Sequence, residues 1–168
     1  VTARGRGLRG LAVAALGFGL IGCGPADPAP APSSRVVSDD FARSTRECDL
    51  LSDREIGAIV GFGVRRGFHG AICRWEGVGD GSVTFNWFEW QTMAGEQTVL
   101  KRLGYETENV KIGSYSAILH RDPQLPGACG VTAKSPAAGT YSWFVHGPGG
   151  DSCEAAKRLM VLVLKNSA

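Results

Sequence analysis

Three histidines, several strand carboxylates and five cysteines are the side chains of this 168-residue chain whose types could do chemistry. His69, His120 and His146 are the natural candidates for moving protons near neutral pH. None stands in an H-E-x-x-H helix or beside a G-x-S-x-G turn, and the chain has no such serine motif. Neither zinc hydrolysis nor an elbow-borne nucleophile is therefore signalled. His69 falls in a glycine-rich stretch that reads as a loop, while His120 and His146 fall at strand ends. Each reads as a surface or satisfied edge residue rather than as a catalyst. Glu76 and Glu89 lie on strands near tryptophans, where a carboxyl against a ring can hold its proton and act as a general acid. The plainer reading, a strand charge facing solvent, is preferred. The stretch HGPGGD (146–151) has the makings of an anion-binding nest before a helix. With no lysine or threonine in it, a tight strand-to-helix connection explains it better.

The cysteines say more. Five is an odd number, and the first of them, Cys23, differs from the rest in its surroundings. The segment before it carries Arg4, Arg6 and Arg9 and then no charge from Leu11 to Gly22. A basic start followed by an apolar run of about 7–15 residues has the form of a secretory signal, shorter than a spanning helix requires. The run ends in Leu20-Ile21-Gly22-Cys23, which resembles the lipobox of bacterial lipoproteins. That resemblance implies a diacylglycerol on the Cys23 thiol and cleavage just before it. Residues 1–22 are thus expected to be a leader. Residues 23–45, with Pro25, Pro28, Pro30 and Pro32, are expected to be a solvated tether that buries no core.

Cys48, Cys73, Cys129 and Cys153 remain, an even set suited to an oxidising compartment. Four cysteines allow three pairings. Cys48–Cys73 with Cys129–Cys153 is preferred, because each bridge would tie a helix start to a nearby strand. Zinc is disfavoured, since there is no C-x₂-C pair and each cysteine is isolated. No metal and no other cofactor is expected. Of the 18 Lys and Arg, three leave with the leader, so 15 basic residues face 16 acidic ones. Nothing in that balance draws in nucleic acid.

Residues 46–168, about 120 in all, suit one domain of ordinary size. Ser52 and Glu55 have capping-box spacing, Leu51 and Ile56 that of a hydrophobic staple, and Gly61 suits a C-cap, giving a helix over Asp53–Val60. AICRWEG and GSVTFNWFEWQ, separated by V-G-D-G, form a hairpin. TMAGEQTVLKRLGYE reads as a helix with Val99, Leu100 and Leu103 on its apolar face. Strands follow around residues 109–112, 114–120, 128–133 and 140–146, and a final helix is capped near Asp151 or Ser152. The order predicts an α+β domain: an antiparallel sheet with helices packed mainly on one face.

All four tryptophans fall on expected strands. In the second arm of the hairpin Val83, Phe85 and Trp87 point one way, while Phe88 and Trp90 point the other. A strand apolar on both faces is either covered twice or offers one face to a ligand. Trp75, Trp87, Phe88 and Trp90 are therefore the candidate ligand surface, with core packing as the default use of such rings.

The opening CDLLSDREIGAIVG, the C-R-W strand at 73–75, IGSYSA, the CGV strand and the late Cys153 together resemble an actinobacterial family of cell-envelope lipoproteins. Its domain is classed as of unknown function. The resemblance spans most of residues 46–165 and implies a secreted, membrane-anchored α+β domain with two disulfides. It carries over no catalytic residues. More loosely, the element order is similar to the PsbP/Mog1-type fold, which by itself sets no function.

The expectation is a non-enzymatic binding or accessory module on the outer face of the cell membrane. Its lipid anchor would contact the membrane, and a lipid, a glycan or an envelope protein would be its partner. An envelope hydrolase using His120, His146 or Glu89 is the alternative from another class, and a structural partner of a membrane transporter or kinase is a third. An acyl anchor contributes roughly 0.8 kcal/mol per buried methylene. Changing Cys23 to Ala should thus release the domain to the medium or leave an uncleaved precursor. Unchanged membrane association and electrophoretic mobility would contradict the anchor.

Overall fold

The computed structural model of the protein describes residues 46–70 and 72–167. The expected leader, Cys23 and the tether over 23–45 lie outside the described residues. Among the described residues no helix is long and apolar enough to cross a membrane.

A 3-10 turn at Arg46–Asp49 leads into α1, Asp53–Val60. Both capping-box bonds form: Ser52 Oγ accepts from the Glu55 amide at 3.3 Å, and Glu55 Oε2 accepts from the Ser52 amide at 2.8 Å. The bond from the Ser52 amide, and second the Ser52 hydroxyl donating to the same Oε2 at 2.7 Å, hold the Glu55 carboxyl below its usual range. Leu51 and Ile56 are buried as a staple requires. Gly61 ends the helix in the left-handed region with φ of 79°, the conformation that glycine adopts without steric cost.

Seven strands follow, β1 Val64–His69, β2 Ile72–Gly77, β3 Ser82–Phe88, β4 Glu106–Ile112, β5 Tyr115–Arg121, β6 Cys129–Lys134 and β7 Thr140–His146. Between β3 and β4 lies α2, Met93–Arg102, and the chain closes with α3, Ser152–Asn166. The strands form one sheet in the order β1-β2-β3-β7-β6-β5-β4, antiparallel at every joint. The expected α+β class is therefore what the chain adopts.

The expected strand list lacks β1. Its sequence, VRRGFH, is charged and glycine-containing because this is an edge strand, exposed over its middle and bulged between Arg66 and Phe68. His69 consequently ends a strand rather than sitting in a loop. Its Nε2 is buried with no partner among the described residues.

Alternation divides the sheet into two unlike faces. The register sets Cys73, Phe85, Trp143, Val131 and Leu119 in one row across the sheet, all buried. Trp75, Val83 and Val145 form the next row on that face. Phe85 and Trp143 rings lie 4.7 Å apart, and Trp75 stacks on Trp143 at 5.7 Å. Onto this face α3 lays Ala156, Leu159, Met160 and Val163, with Ile56 and Val60 of α1 in the same core. Among the described residues the helix on the opposite face is α2, which packs over β4, β5 and β6. Two of the three α-helices thus share one face, as expected.

Both preferred disulfides are present. Cys48–Cys73 ties the 3-10 turn to β2, and Cys129–Cys153 ties β6 to the first turn of α3. Each closes a loop of 24 or 25 residues. Loops of that length correspond to about 3 kcal/mol of stabilisation in the chain-entropy view.

Trp75 is buried, and its indole Nε1–H donates to Asp53 Oδ1 at 2.8 Å. Asp53 Oδ2 accepts from the Arg66 amide at 3.2 Å, so one carboxylate at the start of α1 anchors both β1 and β2. Replacing Asp53 with Ala leaves a buried indole donor unsatisfied and should lower stability by about 1–3 kcal/mol. Asp53→Asn, which retains an acceptor, should lose less. Urea unfolding of the two variants checks this, and equal effects would contradict it.

Candidate functional site

A cavity of about 660 Å³ opens where β3 runs past the end of β2. Five successive residues line it, Trp87 and Phe88 at the end of β3 and Glu89, Trp90 and Gln91 in the turn that follows. Glu96 and Val99 come from α2, Gly70 from beyond β1, Cys73 from β2 and Glu47 from the 3-10 turn. The disulfide at Cys73 therefore fixes the wall that carries Glu47.

The structure separates the four aromatics of the candidate surface. Trp87, Phe88 and Trp90 gather at the cavity. Trp75 does not: at 1 % exposure it belongs to the core, stacked on Trp143, and it is withdrawn from the ligand surface. The physical reason is register. With the turn centred on residues 78–81, Trp75 falls opposite Val83 and shares its inward face. That signal was available in the hairpin sequence. Trp90 lies in the turn after β3, not on a strand, and is 92 % exposed; Phe88 is 42 % exposed. Trp87 is partly buried, its Nε1–H donating to the Ala138 carbonyl at 2.8 Å, so its ring is held in one pose. Glu89, noted as a possible acid, lines the cavity, whereas Glu76 pairs with Arg65 at 3.0 Å on the edge hairpin.

Glu96 is the residue that sequence reasoning missed. The apolar face expected for α2 was Val99, Leu100 and Leu103, yet Val99 and Leu103 are exposed and the buried pair is Leu100 and Glu96. Glu96 stands one turn before Leu100, on the same stripe, which was the only signal for it. The polar face of the sheet explains its burial. Thr132 Oγ1 lies 3.3 Å from Glu96 Oε1, 3.0 Å from Ser142 Oγ and 3.4 Å from His120 Nε2. A threonine hydroxyl has one proton and two acceptor sites. One arrangement satisfies all three contacts: Thr132 donates to the carboxylate and accepts from the Ser142 hydroxyl and from His120 Nε2–H. Gln91 Nε2 donates to the other Glu96 oxygen at 3.4 Å.

His120 is accordingly no surface residue. It is 5 % exposed, its ring stacked on Phe144 and met edge-on by Tyr105. A side chain at Gly130, its neighbour across the sheet, would run into the imidazole, so glycine there makes the room. Burial pushes the His120 imidazole down to about 4. Its Nδ1 is buried with no partner among the described residues. His69 is lowered in the same direction, by burial first and then by the Arg66 charge. His146 places Nδ1 3.2 Å from the Asp80 carbonyl oxygen at the far end of the hairpin. None of the three histidines lines the cavity. The HGPGGD stretch serves as a connection: Asp151 caps α3, accepting from the Cys153 and Glu154 amides, so the helix start is already occupied.

Comparison with known proteins adds one finding. A family model described as "Protein of unknown function (DUF3558)" matches residues 18–166. The chain belongs to the DUF3558 family. No curated protein and no solved structure matches it. The DUF3558 assignment agrees with the resemblance carried by the CDLLS opening, the C-R-W strand and the cysteines, and it brings no activity with it. The chemistry has to be argued from this DUF3558 chain's own residues.

His120 gives that argument a measurable consequence. An unfolded chain holds the imidazole near its ordinary value of about 6.5, the folded one at about 4. Between these values the unfolded chain binds a proton that the folded chain refuses. Stability is therefore full above about pH 6.5 and falls as the pH drops toward 4, by on the order of 2–3 kcal/mol. His120→Phe, which keeps a ring against Phe144 and cannot titrate, should flatten that slope. Denaturant unfolding at several pH values measures it, and an unchanged slope would contradict the burial argument.

Proposed function

We propose that the protein is a lipid-anchored, extracytoplasmic binding module that holds a ligand with apolar surface in the cavity at the end of β3. The observation that carries this reading is Trp90. A full indole stands in water at a cavity that Trp87, Phe88 and Val99 also line, although the core has its own aromatic set in Trp75, Phe85 and Trp143. Exposed apolar residues gathered around a concavity are what ligand sites present.

The two disulfides support an oxidising compartment. The apolar run ending at Cys23, and the resemblance to actinobacterial envelope lipoproteins, support the anchor and the outer face of the membrane. Holding a ligand, rather than converting it, is supported by the resemblance, which carries over no catalytic residues. No histidine lines the cavity, and His120 is turned to Thr132 beneath α2 and takes its charge only in acid.

The test is saturable binding of a neutral apolar fluorophore, N-phenyl-1-naphthylamine, to the full chain with both disulfides intact. Quenching of tryptophan emission by energy transfer should saturate at one site. Trp90→Ala should weaken binding at least tenfold without altering the unfolding midpoint, because Trp90 buries almost nothing. Non-saturating uptake, or equal binding by the variant, would overturn the reading.

A further inference from the structure

We infer that the cavity takes an organic cation: an ammonium group carried on a ligand with apolar surface. This rests on the reading of the cavity as a binding site and names the chemistry of its occupant. The first argument is the sign of the lining. Its charged side chains are Glu47, Glu89 and Glu96, joined by the Gln91 amide, and no lining residue among those described carries positive charge. Fatty acids, phosphates and other anions would meet carboxylates with no partner for their own charge.

The second argument is independent of the first and concerns Glu96 alone. It is 8 % exposed, and the groups bonded to it, the Thr132 hydroxyl and the Gln91 amide, are neutral. The ion pairs among the described residues are Arg65–Glu76, Arg66–Asp49 and Lys157–Glu154, none of which includes it. A buried carboxylate held by neutral donors alone is incompletely compensated, whereas a charge-assisted bond from a cation is about twice as strong as a neutral one. Glu96 reaches the cavity, so the missing charge can arrive with the ligand.

The third argument selects the kind of cation. Trp90 and Phe88 are exposed aromatic residues that line the cavity, and aromatic rings attract ammonium groups to their faces. A metal ion would instead require several oxygen, nitrogen or sulfur ligands converging on one point, and no such group of residues occurs among the described residues. A neutral sugar would use the hydrogen-bond acceptors but would leave the charge of Glu96 as it stands.

Three probes with one alkyl chain separate these possibilities: decylammonium, whose N–H groups can donate to a carboxylate, decyl glucoside and decanoate, each kept below its micelle concentration. Their binding to the full, disulfide-intact chain is followed by titration calorimetry. The ammonium should bind at least tenfold more tightly than the other two. Glu96→Gln, which still offers Thr132 an acceptor but leaves Glu47 and Glu89 in place, should reduce that preference severalfold and leave the glucoside affinity unchanged. Equal affinities for the three probes would overturn the cation and leave the cavity as a site for neutral ligands, and a preference unchanged by Glu96→Gln would overturn Glu96 as the group that receives it. Failure of all three to bind would overturn the site itself. Should the variant not fold, the three-probe comparison on the unaltered chain decides the question.

Discussion

A seven-stranded sheet satisfies its backbone along the strands but leaves two faces that must be covered, and this chain has enough apolar side chains to cover one of them well. The rows through Phe85–Trp143–Val131 and Trp75–Val83–Val145 build that face, and α1 and α3 close it. The other face carries Thr84, Asn86, Ser142, Thr132 and His120, and among the described residues the helix that crosses it has ten residues. A short helix over a polar pleat cannot bury a continuous apolar stripe. It meets the hydroxyls and the imidazole with a carboxylate instead, and everything distinctive about the molecule follows from that substitution.

Placing Glu96 there has two consequences. Inward, one oxygen organises Thr132, Ser142 and His120 into a network in which the imidazole stays neutral well into the acid range. Outward, the same side chain forms part of the cavity that the overhang of β3 leaves between α2 and the Cys48–Cys73 bridge. The exposed rings of Phe88 and Trp90 belong to that overhang. Phe88 pairs with Thr140 of β7 but has no partner on the β2 side, Trp90 stands in the turn beyond it, and the site consists of them together with a carboxylate that no cation of the described fold neutralises.

The sequence made local chemistry legible and global coverage illegible. Ser52 with Glu55, Gly61 and Asp151 mark the helix ends because caps are settled within three or four residues. The hairpin of β2 and β3 was legible for the same reason. The disulfide pairing was a preference among three open ones, resting on where those elements were placed, and it is the pairing present. Edge strand β1 was not legible, because VRRGFH meets solvent along most of its length and so lacks the alternation that burial imposes. Trp75 was placed among the candidate ligand-surface residues and lies in the core, although counting back from the turn would have set it opposite Val83. Glu96 was beyond reach for a deeper reason. A glutamate in a helix reads as a solvent charge unless the polarity of the opposing sheet face is known, and that face is assembled from β5, β6 and β7, far along the chain.

The central claim is that the overhang of β3 holds a ligand, and the most direct measurement is a pair of mass spectra of the protein recovered from its own cells. Under native conditions the account predicts a discrete mass added to that of the denatured chain. That mass should vanish on denaturation and carry basic nitrogen. A native mass equal to that of the denatured chain would contradict the account, leaving Trp90 and Glu96 as features of the fold with no occupant.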